Sequence, residues 1–417
     1  MVHRKTERGQ ALILITFAII GLIALTGLTV DGGIAYSERR TAQNAADSAA
    51  FAAALAHSRG QNLTQAANNV ALTNGYDNNG STNTVVVTNV NSPSGECPAG
   101  TTNNKDITVT ITTVTETSFS NLVGIQQVTN TVTATTRSCG TYVAPIFDGN
   151  AIVSLAPSGK GFDATGTPGW TINGGGIFSN STSCPSVYRN GAATVSLPGG
   201  HGITTPGCAQ GLSGIPTNSG SGVPQYSWNQ YKSLLPRTPA CNGTATKVNG
   251  VWQPQSGADG STVAFSGDMV FSSGLYCVTN SPGPFHGQIS GTGVTFYITS
   301  SNFNMKFNGG GNLTATAPVA GDYAGVLMYL APQVNNSGNL VQTQQFDLRG
   351  NGNAAFIGSI IAPSANVTMF GNSGTEGFKS QIIGYRVDTG GNADINISYN
   401  AGQNYQAAQP IEIKLLK

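Results

Sequence analysis

The chain contains 417 residues, of which 9% are Asp, Glu, Lys or Arg and 55 are glycine. Soluble domains average roughly 25% charged residues, so Asn, Thr, Ser and Gln take the place of charge here, as is typical of repetitive secreted β-proteins. The net charge is +1, and basic residues form no stripe with interleaved aromatics. The usual features of a nucleic-acid-binding protein are therefore missing, and we expect no nucleic-acid partner. The length predicts two folded units or one elongated repetitive unit.

The first predicted element is the uncharged apolar segment at residues 11–30. A helix of this length spans about 30 Å, the thickness of the hydrocarbon core of a bilayer. Arg4, Lys5 and Arg8 precede the segment, and basic residues near a first span tend to stay in the cytoplasm. We therefore predict a cytoplasmic N-terminus at residues 1–10, a single-pass helix in the inner membrane, and an extracytoplasmic body.

Two forms of processing are alternatives to a retained anchor. A cleaved signal peptide has the same order of basic start and apolar run, but its apolar core is usually about 7 to 15 residues long and ends at a small-residue cleavage site, which is not found here. Processing in the manner of type IV prepilins would cut after Gly9 and normally uses a glutamate five residues further on, where this chain has Leu14. We favour the retained anchor, and the sequence leaves cleavage open.

Small side chains follow the apolar segment at helical spacing. Alanines recur at intervals of three and four residues at Ala42, Ala45, Ala49, Ala53 and Ala56. This spacing places them on one side of a helix, where they predict a smooth face that packs closely against another helix or a sheet. Gly32 and Gly33 lie where the chain would leave the bilayer, and we expect a bend or a close contact there.

A second helix and three strands complete the first region. The helical stretch Leu63–Tyr76 contains Asn74-Gly75 near its end, a common C-terminal stop. Alternation of Val, Ile and Thr with period two predicts half-buried strands. These strands are expected at Thr84–Val90, Asp106–Thr117 and Gln127–Thr136.

The segments Arg8–Ile15 and Leu25–Ala56 resemble the N-terminal region of Flp pilus-assembly TadG-like proteins, which belong to the tight-adherence (Tad) apparatus. The matching residues include Arg8, Gly9, Gln10, Asp31, Gly32, Gln43, Ala46 and Asp47. The resemblance implies a one-span envelope protein linked to adhesion or pilus anchoring, with a pilin-like α+β unit at residues 31–141. Some relatives carry a metal-binding von Willebrand type A domain with a D-x-S-x-S string, which this sequence lacks.

From residue 142 to residue 417, short apolar runs alternate with clusters of glycine and asparagine. Runs of this kind predict short strands. Phe356–Asn372 and Gln381–Tyr399 repeat the same order of strand, turn, strand and turn, which is typical of a solenoid whose coils bury their faces by stacking. We predict an all-β region that forms a parallel right-handed β-helix, with a β-sandwich pair as the alternative.

The six cysteines all lie outside the apolar segment, and none is spaced as C-x-x-C, which argues against a zinc knuckle or a thioredoxin-type site. We expect disulfides formed in an oxidising compartment. Six cysteines allow fifteen connectivities. Pairing of neighbours along the chain would join Cys97 with Cys139, Cys184 with Cys208, and Cys241 with Cys277.

Parallel β-helices are often polysaccharide lyases or hydrolases, which need clustered carboxylates. Acids are sparse in the second region, and the best pair is Asp388 with Asp394, close to Arg386. Asp388-Thr-Gly-Gly is also an ordinary turn, in which aspartate bonds its own backbone. We therefore predict that the chain is not an enzyme and that it holds no cofactor and no metal.

Together these features predict a membrane-anchored structural or adhesion component of a Tad (Flp) pilus assembly system that presents a β-solenoid outside the cell membrane. The expected partners are the membrane, proteins of a pilus assembly or secretion apparatus, and a surface or polysaccharide ligand. The alternative is a membrane-tethered β-helix that binds or cleaves polysaccharide.

Overall fold

The chain folds into two compact units. The computed structural model describes residues 8–98, 100–140, 142–308, 310–350, 355–372, 378–409 and 411–416. Unit 1 combines residues 1–142 with residues 409–417, and unit 2 consists of residues 143–408. The sequence places residues up to 417 in the second region, whereas the structure returns the C-terminal strand to unit 1 because this strand pairs with the sheet there.

Unit 1 consists of two helices and one antiparallel sheet. Its elements are α1 (Arg8–Ser58), α2 (Leu63–Thr73), β1 (Asn83–Asn91), β2 (Lys105–Glu116), β3 (Gln127–Ser138), the 3-10 helix Ser120–Val123 and a C-terminal strand (Ile413–Leu415). The strand order is β1, β2, β3 and the C-terminal strand, all antiparallel. Alternate residues of β2 are buried, as the period-two pattern predicts, so one face of the sheet lies against the helices.

The N-terminal part of unit 2 consists of short strands joined by glycine-rich turns. These strands are β4 (Val143–Pro145), β5 (Ile152–Ser154), β6 (Phe162–Gly166), β7 (Gly169–Asn173), β8 (Ile177–Ser179), β9 (Val187–Gly191), β10 (Thr194–Ser196), β11 (Ile203–Thr205), β12 (Ala209–Gln210) and β13 (Thr217–Ser219). The short helix α3 (Trp228–Tyr231) follows. The sequence pattern does not predict this helix, which is only one turn long.

The remaining strands of unit 2 continue the same design. They are β14 (Gly243–Thr244), β15 (Thr246–Val248), β16 (Val251–Gln253), β17 (Ser261–Val263), β18 (Met269–Phe271), β19 (Gly274–Val278), β20 (Gly283–Phe285), β21 (Gln288–Thr292), β22 (Val294–Ile298), β23 (Asn304–Phe307), β24 (Asn312–Thr316), β25 (Val326–Leu330), β26 (Gln344–Gly350), β27 (Ala355–Ile357), β28 (Ser359–Asn372), β29 (Ile382–Gly390), β30 (Ile395–Ser398) and β31 (Gln406–Ala408). Single-turn 3-10 helices lie at Ile146–Gly149, Pro198–Gly200, Lys232–Leu234 and Ala401–Gln403.

Nearly all strands of unit 2 pair in parallel, in three series. Sheet A follows the order β13, β11, β8, β5, β29, β28, β25, β22, β19, β17 and β14. Sheet B follows the order β12, β9, β6, β29, β28, β26, β23 and β20. Sheet C contains β16, β18, β21, β24 and β27 in one group and β30, β7 and β10 in another. This parallel pairing does not agree with the alternative β-sandwich, whose strands are antiparallel.

The chain enters this parallel arrangement in its middle. Strand β29, near the end of unit 2, pairs with β5, near its beginning, through Ile382 with Ile152 and Ile383 with Val153. Strands β5 to β13 extend the sheet to one end, and the chain then crosses to the opposite end at β14. The segment 220–242 makes this crossing, and Tyr231 and Leu235 within it are buried against the outer side of sheet A.

The interior between the three sheets is filled by large apolar side chains. Phe265, Phe271 and Phe296 pack edge to face, with ring centres 5.0 to 5.4 Å apart for the pairs that include Phe296. Further fully buried side chains include Trp170, Phe162, Phe303, Phe307, Phe346, Phe356 and Phe378. Because each strand adds one or two of these side chains to its neighbours, the core is continuous along the strand stack.

Candidate functional site

Helix α1 has two halves with opposite surroundings. In the first half the large apolar side chains are exposed, among them Leu12, Phe17, Leu22, Leu28 and Ile34. Within the described residues, one helix is long and apolar enough to cross a membrane, and this half belongs to it. An exposed apolar surface of this length is suited to lipid and costs free energy in water.

The second half of α1 packs its alanine face onto the rest of unit 1. The five alanines predicted from the spacing, Ala42, Ala45, Ala49, Ala53 and Ala56, are all buried. Their neighbours Ala46, Ala50 and Ala54 are buried as well, so the face is wider than the spacing indicates. It contacts α2 and the inner side of the sheet through Ala67, Ala71, Val85, Ile107, Val109, Ile111, Val132 and Ala134. Because alanine has the smallest apolar side chain, the helix backbone lies close to the sheet.

Gln43 and Asp47, one helical turn apart, connect the same half of α1 to strand β3. The Gln43 side-chain amide donates to Asp47 Oδ1 at 2.8 Å and to the Thr133 carbonyl oxygen at 3.3 Å. The amide therefore ties the helix to the strand backbone, and Asp47 orients it. Closer to the C-terminal end of α1, the buried Ser138 hydroxyl of β3 donates to the Ala54 carbonyl oxygen.

Asp31 holds the loop between β2 and β3 against α1. Its carboxylate accepts backbone N–H bonds from Ser118 at 3.1 Å, Phe119 at 3.0 Å and Ser120 at 2.6 Å. Three N–H donors on one carboxylate form a strong charge-assisted cap for the 3-10 turn that follows. One turn earlier, a Cβ added to Gly27 would lie 2.5 Å from Phe119 Cβ, so glycine is needed there for the loop to approach.

The remaining motif positions make no tertiary contact that the structure describes. Helix α1 continues through Gly32 and Gly33, and a Cβ added at either would have no neighbour within 4 Å. The expected close contact is therefore not at these glycines, and the close approach is at Gly27 instead. Arg8, Gly9 and Gln10 lie in the first turn of α1, and their side chains fall outside the described residues.

Three disulfides join the six cysteines, and the pairs are the neighbours along the chain. Cys97 is bonded to Cys139, Cys184 to Cys208, and Cys241 to Cys277. Near the first of these, Arg137 is buried and forms ion pairs with Asp106 at 2.8 Å and with Glu96 at 2.6 Å. The hydrogen bond from Arg137 holds the pKa of Asp106 below its usual value.

The two carboxylates of the predicted pair in unit 2 have different local structure and different partners. Asp388 lies within β29 rather than in a turn, because β29 extends to Gly390. Asp394 lies beyond the strand, where its carboxylate accepts the Gly169 backbone N–H at 2.7 Å. The neighbour of Asp388 is instead Asp163, which occupies the matching position on the adjacent parallel strand β6.

Asp388 and Asp163 belong to a row of polar side chains along sheet B. In register, the row runs Lys306, Asp347, Thr368, Asp388, Asp163 and Tyr188. Lys160 forms an ion pair with Asp163 at 2.9 Å and lies 3.8 Å from the centre of the Tyr188 ring. Burial, together with the negative charge of Asp163, raises the pKa of Asp388 to about 6. Sequence reasoning missed this pair because its members are far apart in the chain.

The described residues contain no group of three or more His, Cys, Asp or Glu side chains placed to hold a metal ion. Sheet B instead offers adjacent carboxylates with a lysine and an aromatic ring, which can hydrogen-bond to hydroxyl groups and stack on a sugar ring. This surface is one candidate site, and the Asp31 and alanine contacts of α1 are the other.

Comparison with known proteins connects the α1 contacts to one family. Residues 9–57 match the family model Tad, Flp pilus-assembly TadE/G-like. No curated protein and no solved structure matches the chain. The matched segment contains the exposed apolar half of α1, Asp31 and the buried alanine face, and over these residues the chain is similar to the Flp pilus-assembly TadE/G-like family, in agreement with the TadG-like resemblance.

Proposed function

We propose that this chain is a membrane-anchored structural and adhesion component of a Tad (Flp) pilus assembly system. The observation that carries the proposal is the division of α1, within the segment that matches the family, into an exposed apolar half and a half buried against a sheet. The first half is long enough to cross the inner membrane, and the second is the centre of a folded unit that begins where the span ends. The basic residues before the span favour a cytoplasmic N-terminus.

Unit 2, in this proposal, is a parallel right-handed β-helix presented outside the cell membrane. Three series of parallel strands around one apolar interior support this architecture. Right-handedness is the general rule for connections between parallel strands. A rigid stack of this kind offers a long surface for contact with a cell surface, a polysaccharide or other proteins of the assembly apparatus.

The three disulfides support an extracytoplasmic location for both units. One disulfide lies in unit 1 and two lie in unit 2. Disulfides persist in oxidising compartments and are rare in the cytosol. We propose that the chain has no enzymatic activity and acts through binding alone.

Fractionation of cells that express the full chain with a C-terminal tag tests this function. We expect the protein in the inner-membrane fraction, resistant to alkaline carbonate extraction, with its tag and disulfide-bonded body digested by protease added to spheroplasts. N-terminal sequencing of the mature protein separates a retained anchor from a cleaved segment. Full-length protein in the cytosol, or a body protected inside intact spheroplasts, would contradict the proposal.

Polysaccharide binding by sheet B is the second candidate function, and the pair Asp163 and Asp388 favours it. A buried carboxylate kept beside another carboxylate costs stability, and such costs are concentrated at functional sites. Glycan-array binding of the purified protein is the test. We expect binding to fall at least tenfold in Asp163→Asn and Asp388→Asn but not in Asp148→Asn, an exposed aspartate outside sheet B. Equal binding by all three variants would exclude this site.

A further inference from the structure

We infer that the loop between β2 and β3, residues 117–126, inserts into the interfacial layer of the lipid bilayer beside α1. Unit 1 would then contact the membrane at two points, the helix and this loop, which would restrict its orientation on the membrane. The inference rests on the proposed membrane anchoring of α1, and the family match at residues 9–57 does not include the loop.

The depth of the loop can be measured along α1. Asn130 of β3 donates to the Ala35 carbonyl oxygen at 3.1 Å, and Ser120 in the loop donates to Asp31. Residues of β3 that are nearer the loop therefore lie beside residues of α1 that are nearer the N-terminus of this helix. One turn further towards the N-terminus, Phe119 lies against Gly27. At 1.5 Å per residue, Gly27 lies about 5 Å inside the C-terminal end of the apolar segment, which ends at Val30.

The loop exposes two large apolar side chains at this depth, and its exposed polar residues Ser118, Asn121 and Gln126 are uncharged. Phe119 is 43% exposed and Ile125 is 50% exposed, although both are large apolar side chains. From Thr117 to Thr136 the sequence contains no charged residue. A loop with exposed phenylalanine and isoleucine and no charge is unfavourable in water and suited to the boundary between headgroups and acyl chains.

Several backbone groups of the loop already have partners within unit 1, which favours a lipid environment. The N–H groups of Ser118, Phe119 and Ser120 are bonded to Asp31. The Ile125 N–H donates to the Ser120 carbonyl oxygen at 3.1 Å, and the Thr117 hydroxyl donates to the Ile125 carbonyl oxygen. Since unsatisfied peptide groups are what usually exclude loops from a bilayer, these bonds reduce the main cost of inserting the loop into the interfacial layer.

The same contacts cover the charged carboxylate of Asp31, which would otherwise interrupt the apolar surface of α1. Asp31 is 6% exposed because the loop covers it. The exposed surface of the helix therefore remains apolar past Asp31 to Ile34 and Tyr36, and tyrosine is favoured at the membrane interface. The loop lies beside this continuous surface, so lipid is its most direct neighbour. A helix of a partner protein is the competing occupant.

Depth-dependent fluorescence quenching tests the inference. The full chain carrying Ile125→Trp is reconstituted into phosphatidylcholine vesicles with or without bromine on the acyl chains. Val90→Trp is the matched control, because Val90 is also exposed (64%) and pairs with Asp106 at the opposite end of the same sheet. The unsubstituted protein gives the background from its three native tryptophans.

We expect brominated lipid to quench the added fluorescence of Ile125→Trp at least twofold more than that of Val90→Trp. Equal quenching in protein that floats with the vesicles overturns the inference and favours a protein partner at the loop. Protein that does not float contradicts membrane anchoring itself, so the two failures are distinguishable. Phe119→Trp, measured in the same way, supplies a second reading if Ile125→Trp does not fold.

Discussion

Units 1 and 2 bury their apolar surfaces in different ways. Unit 1 packs the smallest apolar side chain, alanine, along one face of α1 against a sheet. Unit 2 fills the space between three sheets with phenylalanine, isoleucine and methionine spread over many strands. The stability of unit 1 depends on one close helix–sheet contact, in which a larger or charged side chain does not fit. In unit 2 the stabilising free energy is distributed over many similar layers. The two units should therefore respond differently to changes of similar size.

Their optical signals make the comparison measurable. All three tryptophans, Trp170, Trp228 and Trp252, lie in unit 2. Helix α1 and α2, which contain nearly all the helical residues described, lie in unit 1. Tryptophan fluorescence thus follows unfolding of unit 2, and circular dichroism at the helical band follows unit 1.

The largest expected effect is that of Ala49→Glu in unit 1. Ala49 is fully buried, so the glutamate would be a buried and unpaired charge, and we expect a loss of about 4 kcal/mol in the free energy of unfolding of unit 1. In a denaturant titration in detergent, the variant should show a lower midpoint by circular dichroism at the helical band and an unchanged midpoint by tryptophan fluorescence. Ser48→Glu, at the exposed neighbouring position, is the control and should change neither. An unchanged helical midpoint in Ala49→Glu would refute the packing role of the alanine face.

Removal of a disulfide should have the next largest effect on stability. The optical signal that reports this effect should be that of the unit that contains the disulfide. Replacing Cys241 and Cys277 with serine frees a loop of 36 residues and should lower the stability of unit 2 by about 3 kcal/mol, seen as an earlier tryptophan transition. The same change at Cys97 and Cys139 should move only the helical transition. If either double variant shifts both transitions equally, the units do not unfold independently.

A pH-dependent effect of about 2 kcal/mol is expected for Asp388→Asn, which is less than the full pKa shift would give because the side chain is only half-buried and solvent screens its charge. Burial and Asp163 raise the pKa of Asp388 from 3.8 to about 6, so the folded state holds this proton more tightly than the unfolded state. The carboxylate therefore destabilises unit 2 progressively as pH rises from about 4 to 6, and fully above pH 6. Asp388→Asn should raise the tryptophan midpoint at pH 8 but not at pH 4. If the substitution raised the tryptophan midpoint equally at pH 4 and pH 8, the charge of Asp388 would not be the cause of the destabilisation.

The smallest effect is expected for Arg237→Gln in the segment that crosses sheet A. Arg237 forms ion pairs at 2.8 Å with Asp259 and Asp322, but its side chain is half exposed. Exposed ion pairs contribute little, so we expect the variant to lose about 1 kcal/mol or less in the free energy of unfolding. This difference should become smaller in 0.5 M NaCl, because salt screens the ion pairs of the unsubstituted protein. The tryptophan midpoint is the measurement, and Lys232→Gln in the same segment is the control. A loss above about 3 kcal/mol would mean that this segment is essential for the fold of unit 2.

Local periodicity in the sequence was sufficient to predict much of unit 1. The apolar segment, the alanine spacing and the alternation of β2 and β3 each express the geometry of one helix or one strand, and each element is found close to its predicted position. The disulfide pairs agree with the expected pairing of neighbours, although the sequence by itself allows fifteen connectivities and only the structure selects among them.

Contacts between distant parts of the chain could be found only in the tertiary structure. Pairing of β29 with β5 brings Asp388 beside Asp163, and the loop after β2 reaches Asp31 and Gly27. Return of the C-terminal strand to unit 1 is a contact of the same kind. Side-chain periodicity determines which face of an element is buried, whereas the partner of that face depends on where loops of irregular length bring the chain back. For this reason the sequence by itself determined the main elements of unit 1 and the long apolar segment of α1, and the tertiary structure decided which residues meet at both candidate sites.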